Sequence, residues 1–179
     1  AGQKAVHMHF QRKRIPATIS KLSPGSYSHI FTTRDNPLVS IVIPTRGDTS
    51  RIWGVETCLV EGIVNTILNT TDYPNFEIVV VRDVNENKQM VHPFTIPSDP
   101  RIQLVNFDQI FNLAKKWNRG VLASNGAVVV VLDDDTHVDN PEWLSQIVGQ
   151  LQFSDIGVVG PMLLLEDGRI SSAGITMKP

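Results

Sequence analysis

Hydrophobic residues after Leu38 occur in two alternating patterns, short continuous runs and runs at helical spacing. The continuous runs are rich in valine and isoleucine, which is typical of strands buried on both faces in a parallel sheet. Polar segments separate them, and Glu166-Asp167-Gly168-Arg169 has the composition of a hairpin turn. The predicted strands are 38–43, 76–81, 102–106, 127–132, 156–165 and 169–177.

Apolar residues spaced three or four apart predict amphipathic helices between these strands. Asp48, Thr49 or Ser50 can cap the first helix. Gly126 suits a left-handed cap after the second helix, and Pro141 suits the first turn of the third. The alternation of strands and helices predicts an α/β fold with a mostly parallel sheet and helices on both sides. The predicted helices are 50–69, 110–124 and 140–153.

Residues 1–37 differ in composition from the rest, because they combine basic residues with scattered prolines. We predict an N-terminal arm over 1–37, with a short helix and a short strand near 27–31, and a single α/β domain over 38–179. The basic cluster 12–14 has two interpretations, contact with anionic lipid headgroups and a solvated basic face, of which the second is the simpler.

Composition and charge narrow the classes of function. The chain has 179 residues and a formal net charge of -2, so it lacks the positive charge of an electrostatic nucleic-acid binder. Its single cysteine, Cys58, excludes an internal disulfide and a multi-cysteine zinc site, and it favours the cytosol. No apolar run approaches the roughly 20 residues that span a bilayer.

The strand predicted over 127–132 ends in three carboxylates, Asp133, Asp134 and Asp135. Ligands of open α/β sheets bind beyond the carboxyl ends of such strands. Neighbouring acids repel one another and resist desolvation, which a bound cation would offset, and hard oxygen ligands favour magnesium or manganese together with a phosphate. Since successive side chains of a strand alternate faces, we predict that Asp133 and Asp135 converge while Asp134 turns away.

Three acids after a strand also have interpretations other than a metal and phosphate site. They could form a solvated turn, or part of a nucleotidyltransferase, although such an enzyme should carry a glycine- and arginine-rich loop after its first strand, of which residues 45–48 are a poor version. A nucleoside-triphosphatase site needs the Gly-x-x-x-x-Gly-Lys-[Ser/Thr] loop, and no such loop occurs in this sequence.

Several segments, in order, resemble family 2 glycosyltransferases of the GT-A fold. Val39–Arg46 is similar to that family's first strand, Tyr73–Val81 to its second strand, and Val131–Thr136 to its Asp-x-Asp metal motif. A narrower branch, which makes bacterial surface polysaccharides and includes rhamnosyltransferase-like enzymes, is similar over further segments. Those segments are Phe111–Asn118, Leu165–Ile170 and Ala173–Gly174, whereas Pro141–Leu144 and Val158–Pro161 follow at the spacing of the whole family.

The resemblance implies a Rossmann-like, three-layer GT-A domain that moves a sugar from a nucleotide diphosphate to a hydroxyl of a glycan or lipid-linked acceptor, with inversion. It implies Mn2+ or Mg2+ held by Asp133 and Asp135, and a UDP- or dTDP-linked donor. Asp83 would accept from the imide of the base, and Arg46 is a candidate phosphate partner. The implied nucleotide-sugar contacts are Pro44, Thr45, Arg46, Asp83, Asp133 and Asp134.

The sequence departs from the family in two places. The family usually has two acids and then Gly-Ser after its second strand, whereas residues 82–85 read Arg-Asp-Val-Asn, so Asp83 alone can take the acidic role. Family members also continue past the position of Pro179 into an acceptor-binding half that carries the acid thought to act as base. We therefore expect that the chain is a donor-binding half that does not transfer a sugar by itself. We expect it in the cytoplasm, and peripheral association with the inner face of the membrane is left open. A non-catalytic nucleotide-sugar-binding module is the alternative.

Overall fold

The computed structural model describes residues 2–33 and 35–174. It divides into two compact units, one formed by the chain up to Asp35 and from Glu142 onward, the other by Asn36–Pro141. In chain order the elements are α1 (Gly2–Arg12), β1 (Ala17–Ser23), β2 (Ser26–Phe31), β3 (Val39–Thr45), β4 (Thr49–Ile52), β5 (Val55–Cys58), α2 (Leu59–Thr70), β6 (Phe76–Asp83), β7 (Ile102–Phe107), α3 (Leu113–Ala123), β8 (Val128–Val131), α4 (Trp143–Leu151), β9 (Leu163–Leu164) and β10 (Ile170–Ser172).

A parallel four-stranded sheet, in the order β7-β6-β3-β8, forms the centre of the Asn36–Pro141 unit. Val39 pairs with Phe76 on one side and with Val128 on the other. The predicted α/β fold with a mostly parallel sheet is confirmed. Because the strands run in one direction, the residues at their carboxyl ends lie along a single edge of the sheet.

Helix α3 covers one face of this sheet. Val42, Val79, Val81 and Phe107 form a buried cluster on that face. The helix approaches closely because Gly120 has no side chain, and a Cβ there would lie 2.3 Å from Val42 Cγ1. Alternate residues of β3 and β6, which point to the opposite face, are also fully buried, as expected for strands covered on both sides. Those residues are Ile41, Ile43, Ile78 and Val80.

The prediction that the acid-tipped strand is buried on both faces is wrong. Among the described residues β8 has one neighbour, β3, and so lies at an edge of the sheet. Val129 and Val131 keep 39% and 45% of their surface exposed. A run of valines indicates a strand, but it does not indicate whether that strand lies in the centre or at the edge of the sheet.

The helix predicted over 50–69 begins only at Leu59, so the predicted caps at 48–50 are wrong as well. The first part of the segment predicted to be helical is instead a β-hairpin of β4 and β5. Trp53 and Gly54 form its turn, with φ 45° and 83°. Positive φ at both turn residues is the geometry of a two-residue hairpin and is incompatible with a helix. The Leu59 amide donates to the Asp48 carbonyl, which closes the base of the hairpin.

Two further predictions fail near the later strands. Gly126 does not take a left-handed conformation. A glycine is needed there because a Cβ would lie 2.7 Å from Ser40 N. The strand predicted over 156–165 is reduced to β9, which pairs with β10 across the predicted hairpin turn, where Gly168 has φ 80°. The last part of the strand predicted over 169–177 lies outside the described residues.

In the other unit, helix α1 precedes a hairpin of β1 and β2. The predicted strand near 27–31 is confirmed, whereas β1 was not predicted. Phe31 at the end of β2 makes edge contacts with Phe10 and Phe153, and α4 lies close because a Cβ on Gly149 would be 2.5 Å from the Phe31 carbonyl. No helix in the described ranges is both long and apolar enough to span a membrane.

Candidate functional site

The three carboxylates of the predicted metal and donor site follow β8 in a tight turn. The Leu132 amide still bonds to the Val42 carbonyl, but the Thr136 amide then donates to the Asp133 carbonyl at 3.3 Å, so the chain reverses within the acidic triplet. We call residues Asp133–Thr136 the acidic turn. Because Asp134 and Asp135 lie in a turn, the alternation expected of a strand does not fix the directions of their side chains.

Thr45 connects the end of β3 to the acidic turn. Its hydroxyl donates to Asp134 Oδ2 at 2.6 Å and accepts from the Gly47 amide at 2.9 Å. Thr45 is only 2% exposed; its bond with the Gly47 amide is buried, and its bond with Asp134 is partly buried. The two sequence-predicted residues Thr45 and Asp134 are therefore brought together, and Asp134 is turned toward β3.

The electrostatics of the acidic turn favour a cation. Burial raises the pKa of the Asp134 carboxyl; the Thr45 hydrogen bond opposes this, and the charge of Asp135 adds to it. Burial and the charge of Asp135 also raise the pKa of Asp133. Ionised carboxylates that repel each other and are partly desolvated gain most from a positive charge placed between them.

The donor set fits a metal that arrives with its ligand. Across the described residues, no group of three or more His, Cys, Asp or Glu side chains is arranged to hold an ion. Mg2+ and Mn2+ in phosphate sites commonly use one or two carboxylates, with substrate phosphates and water completing the shell. Asp133 and Asp135 are two carboxylates, which is a number that such a shared metal uses.

Lys116 is a site residue that the sequence did not predict. It is 1% exposed, donates to the Thr45 carbonyl at 2.6 Å and places its Nζ 2.7 Å from Asp83 Oδ1. The ammonium also lies 5.8 Å from the ring centroids of Phe107 and Phe111. A buried lysine is stable when charged if such partners surround it. Lys116 lies four residues before Gly120, on the face of α3 that packs on the sheet, and this spacing could have indicated that it is buried.

Asp83 ends β6 beside Lys116, so its charge is already compensated within the protein. The predicted contact with a nucleotide base would therefore use a carboxylate held in place by an ion pair. The preceding residue, Arg82, donates from Nε to Asn106 Oδ1 at 2.9 Å on the neighbouring strand. That contact directs Arg82 along the sheet edge.

The remaining predicted contacts lie near the same edge. Pro44 is buried inside β3, which continues one residue past it, although the strand was predicted to end at 43. Arg46 is exposed, with Nε 3.8 Å from Asp48 Oδ2 and its guanidinium 5.8 Å from the centroid of Phe111. Arg46 thus extends from the strand end toward solvent, and its exposed pair with Asp48 is weak enough to exchange for another anion.

A second polar cluster fixes the start of β8. Ser40 donates to Glu77 Oε1 at 2.6 Å, and the Asn125 amide donates to the same oxygen at 2.7 Å. Burial works to raise the pKa of Glu77, but the hydrogen bonds from Ser40, Asn125 and Gly126 outweigh it and lower that pKa. The Glu77 carboxylate therefore fastens the loop before β8 to the two central strands.

Comparison with known proteins agrees with this geometry. The model of the family "Glycosyl transferase family 2" matches residues 40–169. A mannosyltransferase from Pyrobaculum calidifontis, solved with GDP-Man and Mn2+, superposes with a TM-score of 0.53 over 70% of this chain and 36% of its own, at 22% identity. That similarity shows the fold alone.

Two relatives align with almost the entire chain. An uncharacterized protein, y4gI, of Sinorhizobium fredii (strain NBRC 101917 / NGR234) is 33% identical over 99% of this chain. The O-antigen biosynthesis protein RfbC of Myxococcus xanthus is 27% identical, also over 99% of this chain. The chain spans 19% of the first relative and 13% of the second.

The parallel sheet and the superposition on the mannosyltransferase show that the domain has the GT-A fold. The chain belongs to glycosyl transferase family 2, as the sequence resemblance predicted. Glycosyl transfer is thus the chemistry of its family.

Proposed function

We propose that residues 38–179 form the donor-binding half of an inverting glycosyltransferase and hold a nucleotide-diphosphate sugar along the carboxyl edge of the sheet. One observation carries the proposal: the hydrogen bond between Thr45 and Asp134 ties the acidic turn to the end of the central strand β3. This is where an open α/β sheet binds its ligand.

The metal chemistry belongs to the acidic turn. Asp133 and Asp135 would hold Mn2+ or Mg2+, which supplies charge neutralisation to the leaving diphosphate when it is bound. The raised pKa values of Asp133 and Asp134 support this assignment, because burial is their main cause and the neighbouring charge of Asp135 adds to it, and a bound cation would offset both effects. The Mn2+ in the Pyrobaculum mannosyltransferase complex gives independent support.

The base and ribose of the donor would lie between β3 and β6. Asp83 would accept from the imide N–H of a UDP or dTDP base, with Lys116 holding the carboxylate in place. The backbone of Pro44 and Thr45 would contact the base and ribose, Asp134 would contact the sugar or ribose, and Arg46 would exchange Asp48 for a phosphate oxygen.

The acceptor is proposed to be a hydroxyl of a glycan or lipid-linked saccharide in bacterial polysaccharide synthesis. The similarity to the O-antigen biosynthesis protein RfbC supports that assignment. We place the reaction in the cytoplasm. Association with the inner face of the membrane would use the exposed residues 12–14 at the end of α1.

Calorimetric titration of nucleoside diphosphates into the 179-residue chain tests the donor assignment. UDP, dTDP, GDP, CDP and ADP are compared in the presence of Mn2+, each alone and as its sugar conjugate. We expect UDP or dTDP to bind most tightly, with Asp83→Asn weakening the preferred base more than the others. Absence of binding by every nucleoside diphosphate would refute the proposal. A preference for GDP would keep the donor site but refute the assigned base.

A further inference from the structure

The β4–β5 hairpin carries a tryptophan in a backbone conformation that tryptophan disfavours. Trp53 has φ 45° and is followed by Gly54 at φ 83°. Two-residue turns of this geometry favour Asn-Gly or Gly-Gly, because bulky side chains are strained at positive φ. Strain of this kind persists where the side chain is needed, and it is an observation from which a functional role can be inferred.

The indole is held in a defined orientation although it is exposed. Trp53 keeps 61% of its surface in contact with solvent. Its ring meets the His137 ring edge to face, with centroids 4.9 Å apart and planes at 89°. A hydrogen bond within the hairpin also stabilises the turn, because Arg51 Nε donates to the Gly54 carbonyl at 2.9 Å. The Trp53 ring is therefore exposed to solvent and is oriented by its contact with His137.

His137, which contacts the indole, lies beside further polar groups suited to hydroxyls. His137 Nδ1 lies 3.4 Å from Thr66 Oγ1, and His137 Nε2 lies 3.9 Å from Asp139 Oδ1. The Asp139 side chain is 94% exposed, so its carboxylate remains accessible to a ligand. Since His137 follows Asp135 by two residues, this group borders the acidic turn along the chain.

We propose that Trp53, with His137 and Asp139, forms a stacking platform for a pyranose ring. One face of a pyranose carries C–H groups that pack on an aromatic ring, and its hydroxyls both donate and accept hydrogen bonds. The proposal rests on the proposed function in one respect, the origin of the pyranose, which is either the sugar of the donor or a sugar of the acceptor. Both sources share the chemistry that the platform recognises.

The test measures sugar binding by the 179-residue chain and by four variants. Trp53→Ala removes the ring, Trp53→Asn removes the ring and relieves the strain, and Trp53→Phe keeps an aromatic face. Val55→Ala removes another exposed apolar side chain from the same hairpin and serves as the matched control. The probes are a panel of methyl pyranosides and short oligosaccharides of hexoses, deoxyhexoses and hexosamines, and UDP, dTDP and GDP with their sugar conjugates.

We expect Trp53→Ala and Trp53→Asn to lose about tenfold in affinity for at least one class of sugar, with Trp53→Phe and Val55→Ala retaining it. Loss confined to nucleotide sugars, with the free nucleotides unaffected, identifies the ring as that of the donor. Loss confined to the free saccharides identifies an acceptor sugar. We also expect Trp53→Asn to unfold at a higher temperature than the wild type.

Two results would overturn the platform. One is that no sugar of the panel gains affinity from the indole, so that Trp53→Ala binds every probe as the wild type does. The other is that no saccharide or nucleotide sugar binds at all while free nucleoside diphosphates do, which would remove the platform and leave the donor site standing. Failure of the nucleotides themselves would instead refute the proposed donor site, whatever Trp53 does.

Discussion

Thr45 Oγ1 donates a 2.6 Å hydrogen bond to Asp134 Oδ2, across 89 residues of sequence. The bond joins the last residue of the central strand to the turn that follows the edge strand. The carbonyl of the same threonine accepts from Lys116, whose ammonium lies against Asp83. The ends of β3, β6 and β8 are therefore linked through two buried residues, Thr45 and Lys116.

Removing the Thr45 hydroxyl should loosen the acidic turn. In Thr45→Val the shape is kept, but Asp134 loses its donor, and a buried group left unsatisfied costs about 1–3 kcal/mol. We expect weaker diphosphate binding together with a lower free energy of unfolding, measured by calorimetry and by urea denaturation. Thr45→Ser keeps the hydroxyl and should behave nearly as the wild type. Equal binding by Thr45→Val and Thr45→Ser would show that the bond does not position the turn.

Lys116 and its neighbour Lys115 offer a matched pair of substitutions. Lys116→Met leaves Asp83 without its counter-charge in a largely buried position, which should lower the free energy of unfolding by about 3 kcal/mol. Lys115→Met removes the same charge from an exposed position of the same helix and should have little effect. Urea denaturation of the two variants compares these costs. A small loss for Lys116→Met would mean that the ion pair contributes little to the fold.

Asp134→Asn should stabilise the folded protein. Burial raises the pKa of Asp134, so the ionised carboxylate is less favourable in the folded than in the unfolded state at neutral pH. Asparagine can still accept from Thr45, and relief of the penalty is expected to contribute about 1 kcal/mol, or 2–4 °C in Tm. Differential scanning calorimetry measures the shift. The same variant should bind the nucleotide sugar more weakly, because Asp134 is assigned to its sugar or ribose. A gain in both stability and affinity for the nucleotide sugar would contradict the functional role of Asp134.

Glu77 should make the stability depend on pH in a definite direction. Its folded-state pKa is lowered by hydrogen bonds, so its contribution is present above the ordinary glutamate pKa and is lost as the pH falls through the lowered value. Glu77→Gln is therefore expected to be less stable than the wild type by about 1 kcal/mol at pH 7 and to approach it in acid. Glu56→Gln, at an exposed site, serves as control. A pH-independent difference would rule out the carboxylate charge as its cause.

Much of the sheet could be predicted because its strands are continuous apolar runs. β3, β6 and β7 lie where the pattern predicts them, and the hairpin turn at Gly168 follows from its residue types. Positions beyond a strand end are also predictable, because parallel strands share an edge. This reasoning indicated Asp133–Asp135, whereas the family resemblance implied Thr45 and Asp83.

The parts that were missed depend on tertiary contacts. Ile52 and Val55 are three residues apart and fit a helix, but two positive φ angles at Trp53 and Gly54 place them in a hairpin. Lys116 has the residue type of a solvent-facing position, and only the fold brings its partners Asp83 and Thr45, far away in sequence, beside it. Local periodicity contains neither kind of information.

The coupling of metal and nucleotide at the acidic turn is the most direct test of the proposed donor site. Calorimetry with the preferred nucleoside diphosphate is performed with Mn2+ and with a chelator, on the wild type, on Asp135→Ala and on Asp155→Ala, an exposed control. We expect affinity to fall at least about tenfold, or 1.4 kcal/mol, in the chelator and equally in Asp135→Ala, with Asp155→Ala unchanged. Equal affinity with and without the metal, or undiminished metal dependence in Asp135→Ala, would contradict the assignment of the acidic turn as the metal site.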